Sequence, residues 1–134
     1  MFIEVFFLTG VVRLIVLILP FRWLAPALGK YMQESPAKED ILKLKTARRV
    51  GRIIESVNRH TLWESKCLVQ AIVCKLVLRQ YGIGNTLYLG VGKDEQEQMS
   101  LVAHAWLRCG ELIITGGYNL NRYAIVGKFA DDAR

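Results

Sequence analysis

The sequence predicts an α+β domain, and three observations carry that expectation. Two blocks of helical period come first, over residues 35–59 and 65–81. After Gly84 the apolar period changes from 3.6 to 2, and four short runs of strand character follow. Turn residues separate these runs at the short spacing that an antiparallel meander requires. A chain of 134 residues suffices for one hydrophobic core without metal or disulfide staples. Its 52% apolar content excludes a disordered polymer.

The elements follow in order. Residues 1–30 read as an apolar helical segment, with Val5–Val12 and Leu14–Phe21 split by Arg13 and closed by Pro20. Neither piece approaches the ~20 apolar residues of a spanning helix. Glu4 before the run, and Arg22 and Trp23 after it, invert the charge order of a secretory signal. The segment is expected to dock on the body, on a partner protein or on a membrane interface, with residues 31–134 forming the domain proper. The localisation expected is cytoplasmic, with peripheral membrane contact through residues 1–30 as one option.

Ser35 and Pro36 signal a helix start, as N-cap and first helical position, with Glu39 and Asp40 in the first turn. That helix is expected to reach about Arg59, with Leu44, Ala47, Val50, Ile54 and Val57 on one apolar face. Lys38, Lys43, Lys45, Arg48, Arg49 and Arg52 make the remainder basic: a solvated face, or a docking surface for an acidic partner. No aromatic platform accompanies these charges, so nucleic acid is not an expected partner.

A second helix follows a break near His60 and stops at Gly82, a C′ glycine. Leu68, Ala71, Ile72, Val73, Leu76, Val77 and Leu78 cover most of its circumference, which marks a central, buried helix. Strands are expected at Leu87–Val91, Met99–Arg108, Glu111–Thr115 and Arg122–Lys128, with a polar loop over 92–98 and a tight turn at Cys109-Gly110.

Eighteen Lys and Arg against twelve Asp and Glu leave a net +6, which suits an anionic partner or membrane surface without demanding either. Three cysteines with no CxxC pair argue against a disulfide scaffold and a Cys-based zinc site, and for a reducing compartment. No metal and no cofactor are expected.

Cys67 falls in the first turn of the second helix, where unpaired N–H groups and the positive end of the helix dipole favour a thiolate. Cys74, one heptad on, reads as an inert core thiol, and Cys109 has no electrostatic helper. On the strand around His104, alternation puts Leu101, Ala103, Ala105 and Leu107 on one face and Val102, His104, Trp106 and Arg108 on the other. A helix-terminal Cys followed by a strand His is the arrangement that nucleophilic thiol catalysis needs. His60, expected in a loop with nothing to orient it, is the weaker imidazole.

The string Trp63-x-x-x-Cys67-Leu68-x-x-Ala71, then Tyr81-Gly82-Ile83, Leu89-Gly90-Val91 and Ala103-His104-Ala105-Trp106, resembles the transglutaminase-like thiol peptidases of lasso-peptide biosynthesis. The likeness covers residues 60–129 and is greatest to those whose peptidase stands apart from its leader-recognition protein. It implies a transglutaminase-like, papain-like core and cleavage of the leader from a ribosomally made precursor peptide. It further implies Cys67 as nucleophile, His104 as general base and acid, and as partners a small leader-recognition protein and an ATP-dependent cyclase.

This family carries an Asp about a dozen residues after the histidine, to hold the imidazole. Here that count lands on Thr115-Gly116, and no acid occurs from Leu112 to Ala130. If Cys109-Gly110 forms the turn, Thr115 lies opposite His104 and its hydroxyl is the nearest orienter. The Asn119 or Asn121 amide and a backbone carbonyl near Gly116 are the alternatives. The oxyanion would meet the backbone N–H of Cys67 and one further donor, with Gln70 and Trp63 nearby but unassignable. Trp106, on the histidine's face, reads either as a wall of the substrate cleft or as plain core. Two other functions fit the same residues: acyl transfer or Gln deamidation on the same thiol, and a non-catalytic docking protein.

Overall fold

The computed structural model describes residues 1–18, 23, 25–60, 67–93, 101–118 and 120–133. The elements are α1 (Phe2–Ile18), β1 (Lys30–Tyr31), α2 (Ile41–His60), α3 (Cys67–Gln80), β2 (Asn85–Lys93), β3 (Leu101–Cys109), β4 (Leu112–Thr115) and β5 (Ala124–Asp131). Short 3₁₀ turns lie at Ala25–Leu28 and Leu120–Arg122. This is an α+β fold of helices followed by an antiparallel sheet.

The sheet order is β1-β5-β2-β3-β4. β2, β3 and β4 form a meander, after which β5 returns to pair with the far side of β2, and β1 pairs outside it. One face carries Leu87, Ala105, Leu107, Cys109 and Phe129 into the core with the helices. Facing pairs Leu87↔Leu107 and Leu87↔Phe129 stitch three strands together on that side.

α3 lies at the centre. Val69, Ala71, Ile72, Val73, Cys74, Val77 and Leu78 are all buried, the larger of them stabilising the fold by about 1.5–3 kcal/mol each. The helix ends as its sequence predicts, with Gly82 at φ 69°. The Gly82 N–H donates to the Arg79 carbonyl at 3.1 Å and the Ile83 N–H to the Leu78 carbonyl at 3.0 Å.

α1 packs on α2 and α3 through Val5, Thr9 and Val12, spaced at four and three. Thr9 enters this seam because its hydroxyl is satisfied within the helix, donating to the Val5 carbonyl at 2.8 Å. Ile3, Phe7, Val11 and Leu14 form a second apolar stripe that faces outward. Among the described residues no helix is long and apolar enough to cross a membrane. Pro20 and Arg22 fall outside the described residues.

α2 begins at Ile41, later than Ser35-Pro36 suggested. Asp40 is the cap: its carboxylate accepts the Leu42 N–H at 3.2 Å and its carbonyl the Leu44 N–H at 2.9 Å. Ser35 is instead buried against the sheet, its N–H donating to Thr86 Oγ1 at 2.7 Å and its hydroxyl 2.8 Å from the same atom. Arg108 completes this latch with bonds to the Ser35 carbonyl at 2.6 Å and the Tyr88 hydroxyl at 3.0 Å. Tertiary hydrogen bonds outcompeted the local cap. At its other end α2 runs through His60, which sequence placed in a loop.

Candidate active site

Cys67 opens α3, and β3 brings His104 to the same place. Cys67 Sγ accepts the backbone N–H of Ala105, the residue after His104, at 3.3 Å. That donor is free for the sulfur because β4 pairs with β3 only at Leu107, Arg108 and Cys109. Beyond Leu107, among the described residues, β3 has no strand on that side. The sulfur thus occupies the position of a missing ladder acceptor, one residue along the strand from the imidazole.

His104 is 4% exposed, and its Nε2 lies 2.8 Å from the Gly116 carbonyl oxygen. A carbonyl only accepts, so Nε2 carries the ring proton and Nδ1 is left as the acceptor, the tautomer a general base requires. Gly116 achieves this at φ 69°, where the chain turns sharply out of β4. A Cβ there would meet the Ala105 carbonyl oxygen at 2.5 Å and His104 Nε2 at 3.2 Å, so the close approach needs glycine.

The expected facing of Thr115 and His104 is not found. Thr115 pairs with Leu107, and its hydroxyl is buried with no hydrogen-bond partner among the described residues. Two causes add up. The hairpin turns at Gly110-Glu111, with Gly110 at φ 58°, and a bulge between Leu107 and Arg108 shifts the register again. Of the alternative orienters, the carbonyl is the one bonded to the ring; Asn121 is exposed, and Asn119 lies outside the described residues. Trp63 also lies outside them.

Trp106 is 5% exposed and stacks between Tyr88, at 5.5 Å, and His104, at 5.8 Å. It backs the imidazole rather than lining the open cavity. Sequence reasoning missed two further rings against His104, Tyr118 at 4.8 Å and Tyr123 at 4.9 Å. Burial first, then the nearness of Cys67 and of Tyr123, pushes the Tyr118 phenol above its ordinary value. The signal available was Gly90-x-Gly92 in a strand, where absent side chains mark a close approach.

Cys67 and His104 both line a cavity of about 370 Å³ whose other walls include Leu68, Leu89, Val91 and Val126. It is almost wholly apolar, which suits an apolar side chain beside a reacting carbonyl. Gln70 lines a separate, more polar cavity with Thr115, Gly116 and Tyr118. The remaining thiols are chemically quiet: burial pushes Cys109 up to about 11 and Cys74 far higher.

No curated protein and no solved structure matches the chain. The family model of the Transglutaminase-like superfamily matches residues 13–128, from within α1 through most of β5. With a helix-borne cysteine, a strand-borne histidine and that match over most of its length, this chain belongs to the transglutaminase-like superfamily.

Proposed function

We propose that this protein is a cysteine peptidase that removes the leader from a ribosomally synthesised lasso-peptide precursor. The observation that carries the chemistry is the sulfur of Cys67 bonded to the N–H beside His104, whose ring is held by Gly116 with Nδ1 as acceptor. His104 takes the thiol proton at Nδ1, and the sulfur attacks the scissile carbonyl. The oxyanion forms against the backbone N–H of Cys67. Collapse expels the amine of the core peptide, protonated by His104, and water then hydrolyses the thioester that joins the leader to Cys67. The leader specificity rests on the motif string around Cys67 and His104, and with it come a leader-recognition partner and an ATP-dependent cyclase acting downstream.

The test is incubation with a lasso precursor, with and without the leader-recognition protein, read by mass spectrometry. The parent yields two peptides, and Cys67→Ala yields none while keeping its fold. Processing by Cys67→Ala at the parent's rate would refute the assignment. A product only about one dalton heavier would instead identify a deamidase on the same acyl-enzyme.

A second reading, a docking protein without catalysis, is favoured by the outward apolar stripe of α1, Ile3-Phe7-Val11-Leu14. A thiol-directed electrophile separates the two. Catalysis requires selective labelling of Cys67 that is lost in His104→Ala, whereas docking predicts slow labelling indifferent to His104.

A further inference from the structure

Among the described residues, no acid is bonded to the histidine of this site. No Asp or Glu occurs between Leu112 and Ala130, and Asp131 is engaged by Arg79 at 3.1 Å and Lys75 at 3.4 Å. The Gly116 carbonyl orients the ring but is a neutral partner. Acyl transfer from a thiol nevertheless requires an imidazolium to form and persist until the leaving amine is protonated.

What surrounds the ring instead is aromatic. Tyr123 lies 4.9 Å away at an interplanar angle of 30°, Trp106 5.8 Å away at 25°, and Tyr118 4.8 Å away at 49°. Trp106 stacks with the imidazole, and Tyr123 lies tilted 30° from its plane. Trp106 is itself backed by Tyr88, stacked at 15°. β2 is shaped to allow this: Gly90 pairs directly with His104, and a Cβ on it would meet both the Trp106 ring and Tyr123 Cβ at 2.9 Å. At Gly92 a Cβ would lie 3.2 Å from the Tyr123 ring. The glycines that read as a motif in the sequence make room for the rings.

We propose that Tyr123 and Trp106, with Tyr118 at the rim, act as a π-enclosure that stabilises the imidazolium of His104 in place of a carboxylate. The negative face of an aromatic ring attracts a cation within about 6 Å, the more so when both are shielded from water. The inference rests on the Cys67–His104 reading above. Among the described residues the other titratable groups of that region are the Cys67 sulfur from α3, the phenols of Tyr118 and Tyr123, and the Glu55 carboxylate of α2, which lines the neighbouring cavity with Gly116 and Tyr118. Arg122 lies 5.5 Å from the Tyr123 ring centroid and is tied to the Lys93 carbonyl at 2.8 Å. Its fixed charge works against a second cation and is left in place in every variant.

The experiment measures alkylation of Cys67 by iodoacetamide from pH 5 to 9, with precursor cleavage alongside, for the parent, Tyr123→Phe and Tyr123→Leu. Tyr123→Phe keeps the ring and is expected to keep the pH profile. Tyr123→Leu is expected to shift the profile by lowering its plateau near neutral pH by up to about tenfold, because the thiolate–imidazolium pair gives way to neutral thiol and imidazole, with a similar loss in kcat and little change in KM. Should Tyr123→Leu not fold, Tyr118→Leu, at a site 59% exposed, carries the same test with a smaller shift. A folded leucine variant with the parent's profile overturns the proposal, as does an equal loss in Tyr123→Phe. His104→Ala separates the two levels of inference. If it leaves alkylation unchanged, the thiol–imidazole reading itself has failed; if it flattens the profile while the leucine variants do not move it, only the enclosure has failed.

Discussion

Lys75 is the largest fully buried side chain among the described residues, and it offers the cleanest quantitative test of the packing that positions α3. Its ammonium donates to Asn85 Oδ1 at 2.7 Å and to the Phe129 carbonyl at 3.2 Å, and lies 3.4 Å from Asp131. Burial pushes it from the ordinary 10.5 down to about 8, partly offset by the Asp131 carboxylate. Between those two values the unfolded chain holds a proton that the folded chain has released. Stability therefore gains from Lys75 as pH rises from about 8 towards 10.5, and below 8 the charged form is buried at a standing cost.

Integrated from pH 7 to 9, this gain is about 1 kcal/mol. Cys74 and Cys109 act in the opposite sense. Burial keeps both thiols neutral in the fold while their unfolded counterparts ionise near 9, so they erode stability as pH passes that point. A difference measurement removes them. Lys75→Met keeps the volume and both thiols but leaves Asn85 Oδ1 and the Phe129 carbonyl without their donor, which costs about 1–3 kcal/mol. Urea unfolding of both proteins at pH 7, 8 and 9 is expected to show the parent's advantage growing by about 1 kcal/mol across that range, or about 4 °C in Tm. An advantage that stays flat would refute the reasoning, because Lys75 would then remain charged throughout.

Three further substitutions probe the site. Gly116→Ala places a Cβ 2.5 Å from the Ala105 carbonyl oxygen and forces an L-residue to φ 69°, at about 1–2 kcal/mol for the backbone alone. The loop must shift, and precursor cleavage is expected to fall at least about tenfold with loss of the Gly116–His104 bond, a drop of one kcal/mol or more in transition-state stabilisation. Thr115→Val removes a buried hydroxyl that has no partner among the described residues, so urea unfolding is expected to show a gain of about 1 kcal/mol with cleavage unaltered. A large loss of cleavage there would restore Thr115 as the orienter. Gly90→Ala drives a Cβ to 2.9 Å from Trp106 and Tyr123, and is expected to lower Tm by several degrees and slow cleavage severalfold.

Local signals explain what could be read from the sequence. α3, its Gly82 terminus and the change of period after Gly84 depend on neighbours within a few residues, and all three stand in the structure. Cys67 and His104 stood out because few residue types can do thiol chemistry. What escaped depends on contacts across the chain. The Ser35 cap lost to Thr86 and Arg108, which are 51 and 73 residues distant. Thr115 was misplaced because one positive-φ glycine and one bulge moved the hairpin register, and neither leaves a distinctive pattern. Lys75, a cation on an otherwise apolar helix, carries no local sign of burial; its carboxylate and amide partners come from β5 and β2.

The site arises where the sheet is incomplete. Had β4 continued in register past Thr115, its backbone would have taken the Ala105 N–H, and a sulfur could not approach that edge. Instead the chain leaves the strand at Gly116, and this one departure has two effects. It releases the Ala105 N–H to Cys67, and it turns the Gly116 carbonyl onto the Nε2 of His104. A backbone carbonyl thereby bonds the imidazole where the resemblance to thiol peptidases implies a side-chain carboxylate. It sets the tautomer but contributes no full charge, so on the proposed reading the imidazolium depends on other groups. Those within reach are the faces of Tyr123 and Trp106, admitted by the bare backbone of Gly90. On the proposed reading, orientation and charge stabilisation, joined in one residue when an acid is present, are divided between a glycine turn and an aromatic wall.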